Sequence, residues 1–191
     1  VLDIACSWKP LMHKFQASAK KDTEMDLNFR LVFSARLFIR TGIVLDTAPQ
    51  LHFWFRTAVH DIVSGNYAVT RQQAFRFAAL QLQATYGGGE EPQSTYTEAQ
   101  NSKLLPLKVV SVCTVAQVEK HVRAARQSVL HLEADDARRL YLAEAQKLRD
   151  YGVTLFPCKA IAPEASDLLL GVSEKGLASL HPVSREPLHP Y

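Results

Sequence analysis

Leu51, Trp54, Phe55, Ala58, Ile62 and Val63 fall at i, i+3, i+4, i+7, i+11 and i+12. That spacing draws one apolar stripe along a helix, which the Ser64-Gly65-Asn66 run brings to an end. A second helix is predicted from Thr70 through Gln-Gln-Ala-Phe-Arg-Phe-Ala-Ala-Leu-Gln-Leu-Gln-Ala-Thr-Tyr to Gly87. It is apolar around most of its circumference, so it belongs inside a bundle rather than on its surface. Both starts carry their own signals. Asp46 or Thr47 precedes Pro49, a residue tolerated in the first turn, and Thr70 and Gln73 stand in the T-x-x-Q relation of a capping box.

A third helix is written by Val115, Val118, Val122, Ala125, Val129 and Leu132, spaced mostly by three and four. A fourth starts near Asp135 or Asp136, whose carboxylates suit a helix N-terminus, and continues through Leu140, Tyr141, Ala145 and Leu148. Lys147 and Arg149 are expected in its last turn, with Gly152 closing it. Between the second and third helices, residues 87–106 are rich in Gly, Glu, Ser, Thr, Gln and Asn. The expectation there is an exposed, mobile loop that adds nothing to the core.

Elsewhere the period changes to two. Phe29, Leu31 and Phe33 share one side of an extended segment over residues 29–39, read as a strand joining two units. It follows a short apolar segment in residues 1–15 and a charged connector in 16–28. After Gly152, residues 153–161 and 168–177 read as strands separated by Pro163-Glu-Ala-Ser, and Ser173-Glu-Lys-Gly176 is a tight turn in which glycine takes a positive φ. Two or three strands are not stable alone, so further strands are expected beyond residue 191. The absence of an initiating Met likewise suggests a piece of a longer chain.

Composition narrows the function classes only a little. A 47% hydrophobic, 21% charged chain of 191 residues is built to fold as a globular protein, and its net charge of +3 is too small to argue for nucleic acid. No apolar run is long enough to span a bilayer, and Val1 to Cys6 lack the features of a signal peptide. Cys6, Cys113 and Cys158 are too dispersed for a zinc site or a disulfide framework and fit reduced thiols in a cytosolic protein.

Candidate chemistry is sparse. No pair among His52, His60, His121 and His131 takes the i, i+4 spacing that turns two imidazoles to one metal, so no metal is expected. Gly87-Gly-Gly89 follows a helix and lacks the Lys-Ser/Thr of a phosphate loop, which makes it a helix C-cap. Asp135 and Asp136 are adjacent, so they do not face each other as a catalytic pair and read as helix-start residues. Cys158, on a strand beside Pro157, is expected in a core environment, and neither it nor Cys113 has an evident activator. With no nucleophile, base and orienting group recoverable, the chain reads as non-enzymatic, without a cofactor. Arg123, Arg126, Arg138 and Arg139 remain as a candidate basic binding face for an acidic partner or acidic phospholipid headgroups.

The extended segment at 29–39, the run Phe-Ala-Ala-Leu-Gln-Leu-Gln-Ala-Thr-Tyr-Gly, the helix Leu-Tyr-Leu-Ala-Glu-Ala-Gln-Lys-Leu, and the strands Tyr-Gly-Val-Thr-Leu-Phe and Leu-Leu-Leu-Gly-Val-Ser-Glu-Lys-Gly-Leu together resemble a FERM domain. Within that family, Ala-Ala-Leu-Gln-Leu-Gln and the Tyr-Gly-Val-Thr-Leu-Phe junction are most similar to FERM domains that follow a myosin-tail-homology domain. The resemblance implies a mainly α fold: an acyl-CoA-binding-protein-like four-helix lobe with an N-terminal linking strand and the first β-strands of a pleckstrin-homology-like lobe. It divides the chain into the end of a ubiquitin-like first lobe (1–28), the helical second lobe (29–150) and an incomplete third lobe (151–191). The implied function is a cytoplasmic scaffold linking membrane proteins or lipids to the cytoskeleton. Its partners would be cytoplasmic tails of membrane proteins, cytoskeletal proteins and acidic phospholipids, with no nucleic acid. The family's phosphoinositide region, between first and third lobes, and its strand-addition site on the third are both incomplete here. The alternative is a helical bundle that binds a small acyl-CoA-like ligand between its helices.

Overall fold

Three threonine–glutamine pairs start the three helices that begin with a capping box. The computed structural model describes residues 47–89, 93–159 and 167–188, all within one compact unit, Ser34–Tyr191. Helix α1, Ala48–Val63, is capped by Thr47, whose side chain accepts from Gln50 N while Gln50 Oε1 accepts from Thr47 N. Helix α2, Arg71–Tyr86, repeats the device with Thr70 and Gln73. Each box satisfies two donors that a helix start otherwise orphans, a gain of about 1 kcal/mol for the cap residue.

As its composition requires, α2 is the axis of the bundle. Nine of its sixteen residues are buried, among them Phe75, Phe77, Leu80 and Gln83. It packs against both α5 (Val115–Gln127, started by Thr114 and Gln117) and α6 (Ala134–Ala145), and α6 also packs on α1. Tyr141 of α6 joins the three elements, its ring 5.1 Å from that of Phe55 on α1 and 4.8 Å from that of Phe77 on α2. Ala78 and Ala79 on α2 and Ala137 and Ala145 on α6 are fully buried, which lets these backbones approach closely.

The stretch at 87–106 departs from its expected looseness. It contains a 3₁₀ turn, Gln93–Tyr96, and helix α3, Glu98–Leu104, followed by the short α4, Leu107–Val110. Thr97 caps α3 by accepting from Gln100 N, and Tyr96, Asn101, Leu104 and Leu105 are buried. Few apolar side chains suffice because they recur on one face, while the polar majority that suggested a loop covers the other. Two helix ends also move. Helix α5 stops at Ser128, so Val129 and Leu132 pack from the turns beyond it, and α6 stops at Ala145, which leaves Lys147 and Arg149 outside its last turn.

Beyond Gly152 the chain forms an antiparallel sheet ordered β1-β2-β3: Thr154–Lys159, Asp167–Ser173 and Gly176–Leu180. Phe156 pairs with Leu170, and Leu170 with Ser179. The predicted turn closes β2 and β3, with Gly176 at φ 115°. At Gly171 a Cβ would sit 3.1 Å from the Val153 side chain and 3.2 Å from that of Leu180, so a larger residue there would push both side chains back by a few tenths of an ångström. Cys158 is half-buried on β1 rather than in a core. The expected segments at 1–15, 16–28 and 29–39, the 28/29 boundary and the break at Pro163 lie outside the described residues.

Candidate functional site

The most heavily bonded polar cluster joins the helical bundle to the chain that follows β3. Asp150, 5% exposed, sits in the turn after α6. Its Oδ2 accepts from Arg185 Nη1 at 3.2 Å and from Ala68 N at 3.3 Å, and its Oδ1 from Arg149 Nε at 3.1 Å. Arg185 also donates to the carbonyls of Gly65 and Asn66, which terminate α1, and Arg149 donates to the Ser184 carbonyl. Arg185 takes φ 57°, the one positive value for a non-glycine among the described residues. Its guanidinium bonds hold it in that left-handed conformation against a cost of about 1–2 kcal/mol. Sequence reasoning missed this clamp because its members are scattered and Arg185 lies in a polar tail with no periodicity.

Beside the clamp, Tyr67 packs on Tyr151 with ring centroids 5.5 Å apart, and its hydroxyl accepts from Gly152 N at 3.4 Å. Burial pushes the Tyr67 phenol well above the usual tyrosine range, reinforced by Asp61, although the Gly152 bond pulls the other way. Burial and Asp61 likewise raise the Tyr141 phenol. Across the bundle, Arg76 Nε is bonded to both carboxylate oxygens of Glu144, which raises the guanidinium further.

The four arginines of the candidate basic face have different surroundings. Arg126, 6% exposed, donates to the carbonyls of Gly87 and Gly89 at 2.9 and 3.0 Å. Arg138 donates to the Ala84 carbonyl at 3.2 Å and pairs with Asp135. Both therefore brace the C-terminal end of α2, where carbonyls lack helical partners and a cation is favoured. Arg123 is exposed, pairs with Glu119 at 3.1 Å and lies over the Tyr96 ring at 5.3 Å. Arg139 is exposed. The Gly87 and Gly89 carbonyls, rather than their N–H groups, meet a cation, so this loop is an arginine-braced helix end.

Helices α1, α2 and α3 enclose a surface groove of about 460 Å³. Arg56 and Lys103 supply its charges, with His60 beside them and no carboxylate among the described residues, and Tyr86 adds an exposed ring. Val59, Leu82 and Leu104 give it an apolar floor. Gln81 and Thr95 also line it, and Gln81 Oε1 and Thr95 Oγ1 are buried without a hydrogen-bond partner. This space lies along the outside of the bundle, on a segment of chain that its composition presented as a loop.

Other sequence candidates have ordinary surroundings. His121 stacks on Phe75 at 5.0 Å, His60 meets Asp61, and Asp135 pairs with Arg138. Among the described residues, no three His, Cys, Asp or Glu side chains gather as a metal site, and no helix is long and apolar enough to cross a membrane.

A central helical lobe that leads directly into an antiparallel sheet is the arrangement of a FERM domain. Residues 44–156, more than half of the chain, match the FERM central domain, and the chain belongs to the FERM family. It is 27% identical over 185 residues to kinesin-like protein KIN-14I of Oryza sativa subsp. japonica, a match that covers 94% of this chain and 15% of that protein. The C-terminal MyTH4-FERM domain of human myosin 7b, solved with the harmonin-a PDZ3 domain, superposes with a TM-score of 0.63 at 14% identity, covering 78% of this chain and 33% of that one. The FERM and C-terminal domain complex of Drosophila Merlin gives a TM-score of 0.59 at 22% identity, covering 77% and 49%. Both share the fold, and the chain spans a small part of the curated relatives it matches.

Proposed function

We propose that the chain is a non-enzymatic docking scaffold, part of a FERM region that links membrane proteins or lipids to the cytoskeleton in the cytoplasm. The observation that supports this reading most is the match to the FERM central domain over residues 44–156. The physical role of the lobe follows from its construction. A bundle centred on α2, clamped to the following sheet through Asp150 and Arg185, holds neighbouring surfaces in a fixed relation so that a partner meets a preformed interface. The solved myosin 7b complex has a protein partner, a PDZ domain; for this chain the partners proposed are cytoplasmic tails of membrane proteins and cytoskeletal proteins.

Acidic phospholipids are a further proposed partner, through the exposed members of the basic set, Arg123 and Arg139. The test is binding of the intact protein to immobilised cytoplasmic tails, to actin filaments and microtubules, and to vesicles with and without phosphatidylserine. Saturable binding to a tail or filament supports the scaffold, and no binding to any of them contradicts it. Vesicle binding that survives Arg123→Glu combined with Arg139→Glu removes the basic-face proposal.

A further inference from the structure

The groove between α1, α2 and α3 has features that docking through neighbouring lobes does not use. Among the described residues its lining carries two cations, Arg56 and Lys103, with His60 beside them and no carboxylate. Among the described residues, neither Arg56 nor Lys103 has an ion-pair partner, and the carboxylate nearest in sequence, Asp61, meets His60 outside the lining. One wall is apolar and ends at the exposed ring of Tyr86. Thr95 is 6% exposed, and its Oγ1, like Gln81 Oε1, is buried with no hydrogen bond. Buried polar atoms are normally paired, so two orphans on residues that line one concavity are groups that a small side-chain rotation would offer to a ligand. The volume, about 460 Å³, falls within the range of small-molecule sites.

We infer that this groove binds a small phosphate monoester with a flat ring, of the size and chemistry of a nucleoside monophosphate. The phosphate dianion meets Arg56, Lys103 and His60, where a guanidinium and an ammonium supply charge-assisted donors. The ring lies against Tyr86 and the apolar wall, a contact that tolerates any flat π system. An exocyclic N–H donates to Gln81 Oε1, which only accepts, and the Thr95 hydroxyl pairs with either a donor or an acceptor. This ligand is independent of the docking proposal and uses none of its surfaces.

The test is isothermal titration of the full chain with AMP, adenosine, inorganic phosphate and an acidic peptide. AMP is expected to bind in the micromolar to millimolar range, more tightly than adenosine or phosphate alone. Arg56→Gln and Lys103→Gln each weaken AMP by about tenfold or more, while Arg56→Lys keeps most of the affinity. Tyr86→Ala weakens AMP but leaves inorganic phosphate unchanged. Arg56, Lys103 and Tyr86 are exposed, so unchanged melting curves show that the variants still fold. No heat with AMP into the millimolar range overturns the inference. So does AMP affinity that survives the Arg56→Gln, Lys103→Gln double variant, or binding of the acidic peptide alone.

Discussion

Arg185 reaches back across the junction to Asp150, Nη1 to Oδ2 at 3.2 Å, and with its second terminal nitrogen holds the carbonyl that ends α1. One side chain thus fastens the chain after β3 to two separate turns of the helical lobe. The carboxylate at its centre is buried and would be costly alone, but three donors, Arg185 Nη1, Ala68 N and Arg149 Nε, surround it.

Removing Asp150 should therefore cost more than removing either guanidinium. Asp150→Ala orphans Ala68 N and removes the carboxylate partner of Arg149 and Arg185, with an expected loss of about 3 kcal/mol. Arg185→Ala leaves the carboxylate with two donors and is expected to cost about 2 kcal/mol. Arg149, more than half exposed, contributes less than about 1 kcal/mol. Urea unfolding followed by circular dichroism checks the order Asp150, Arg185, Arg149.

Gln83 is fully buried and donates its amide to the carbonyls of Leu130 and Leu132 at 3.2 and 2.7 Å. It ties α2 to the turns between α5 and α6. Gln83→Leu keeps much of the volume but strands both carbonyls, so a loss of about 1–3 kcal/mol is expected in the same assay.

The arginines of the candidate basic set should separate in a charge-reversal experiment. Arg126→Glu places a carboxylate against the Gly87 and Gly89 carbonyls in a buried site and is expected to unfold the lobe or cost about 4 kcal/mol. Arg123→Glu loses an exposed i, i+4 pair and is expected to change stability by less than about 1 kcal/mol. Thermal melts of the two variants provide the comparison.

Alkaline pH should destabilise the fold through its buried phenols. Tyr67 and Tyr141 have folded-state pKa values raised above the unfolded one, chiefly by burial. Their contribution is intact below the unfolded value, where both states are protonated. As pH rises past it, the unfolded state releases protons that the folded state keeps, so stability falls with pH. A melting-temperature series above pH 9 should decline, and Tyr141→Phe should flatten it.

Much of the helical lobe was legible because helix signals are local. Thr70 with Gln73 and the stripe from Leu51 to Val63 are decided within a few residues, and the crowded apolar surface of α2 announced its central place, while the choice between Asp46 and Thr47 as the first cap waited for the Thr47–Gln50 bonds. The 3₁₀ turn and α3 were hidden because Thr, Gln, Ser and Asn dominate them, and only their packing face carries Tyr96, Leu104 and Leu105. The clamp and the groove were illegible for a different reason. Asp150 and Arg185 are separated by 35 residues, and Arg56 and Lys103 line one groove from two different helices, so no spacing rule connects them. Arg126 could not be told from Arg123 by sequence, since a shift around the helix sends one inward to carbonyls and leaves the other in solvent.

The scaffold reading depends most on the bundle and the following sheet behaving as one rigid piece. Spin labels at Gln72 on α2 and Lys175 in the β2-β3 turn, with Cys6, Cys113 and Cys158 changed to Ser, allow their separation to be measured by pulsed electron resonance. A single narrow distance distribution that broadens in Arg185→Ala is the predicted result. A broad distribution in the otherwise native chain, unchanged by Arg185→Ala, would contradict it.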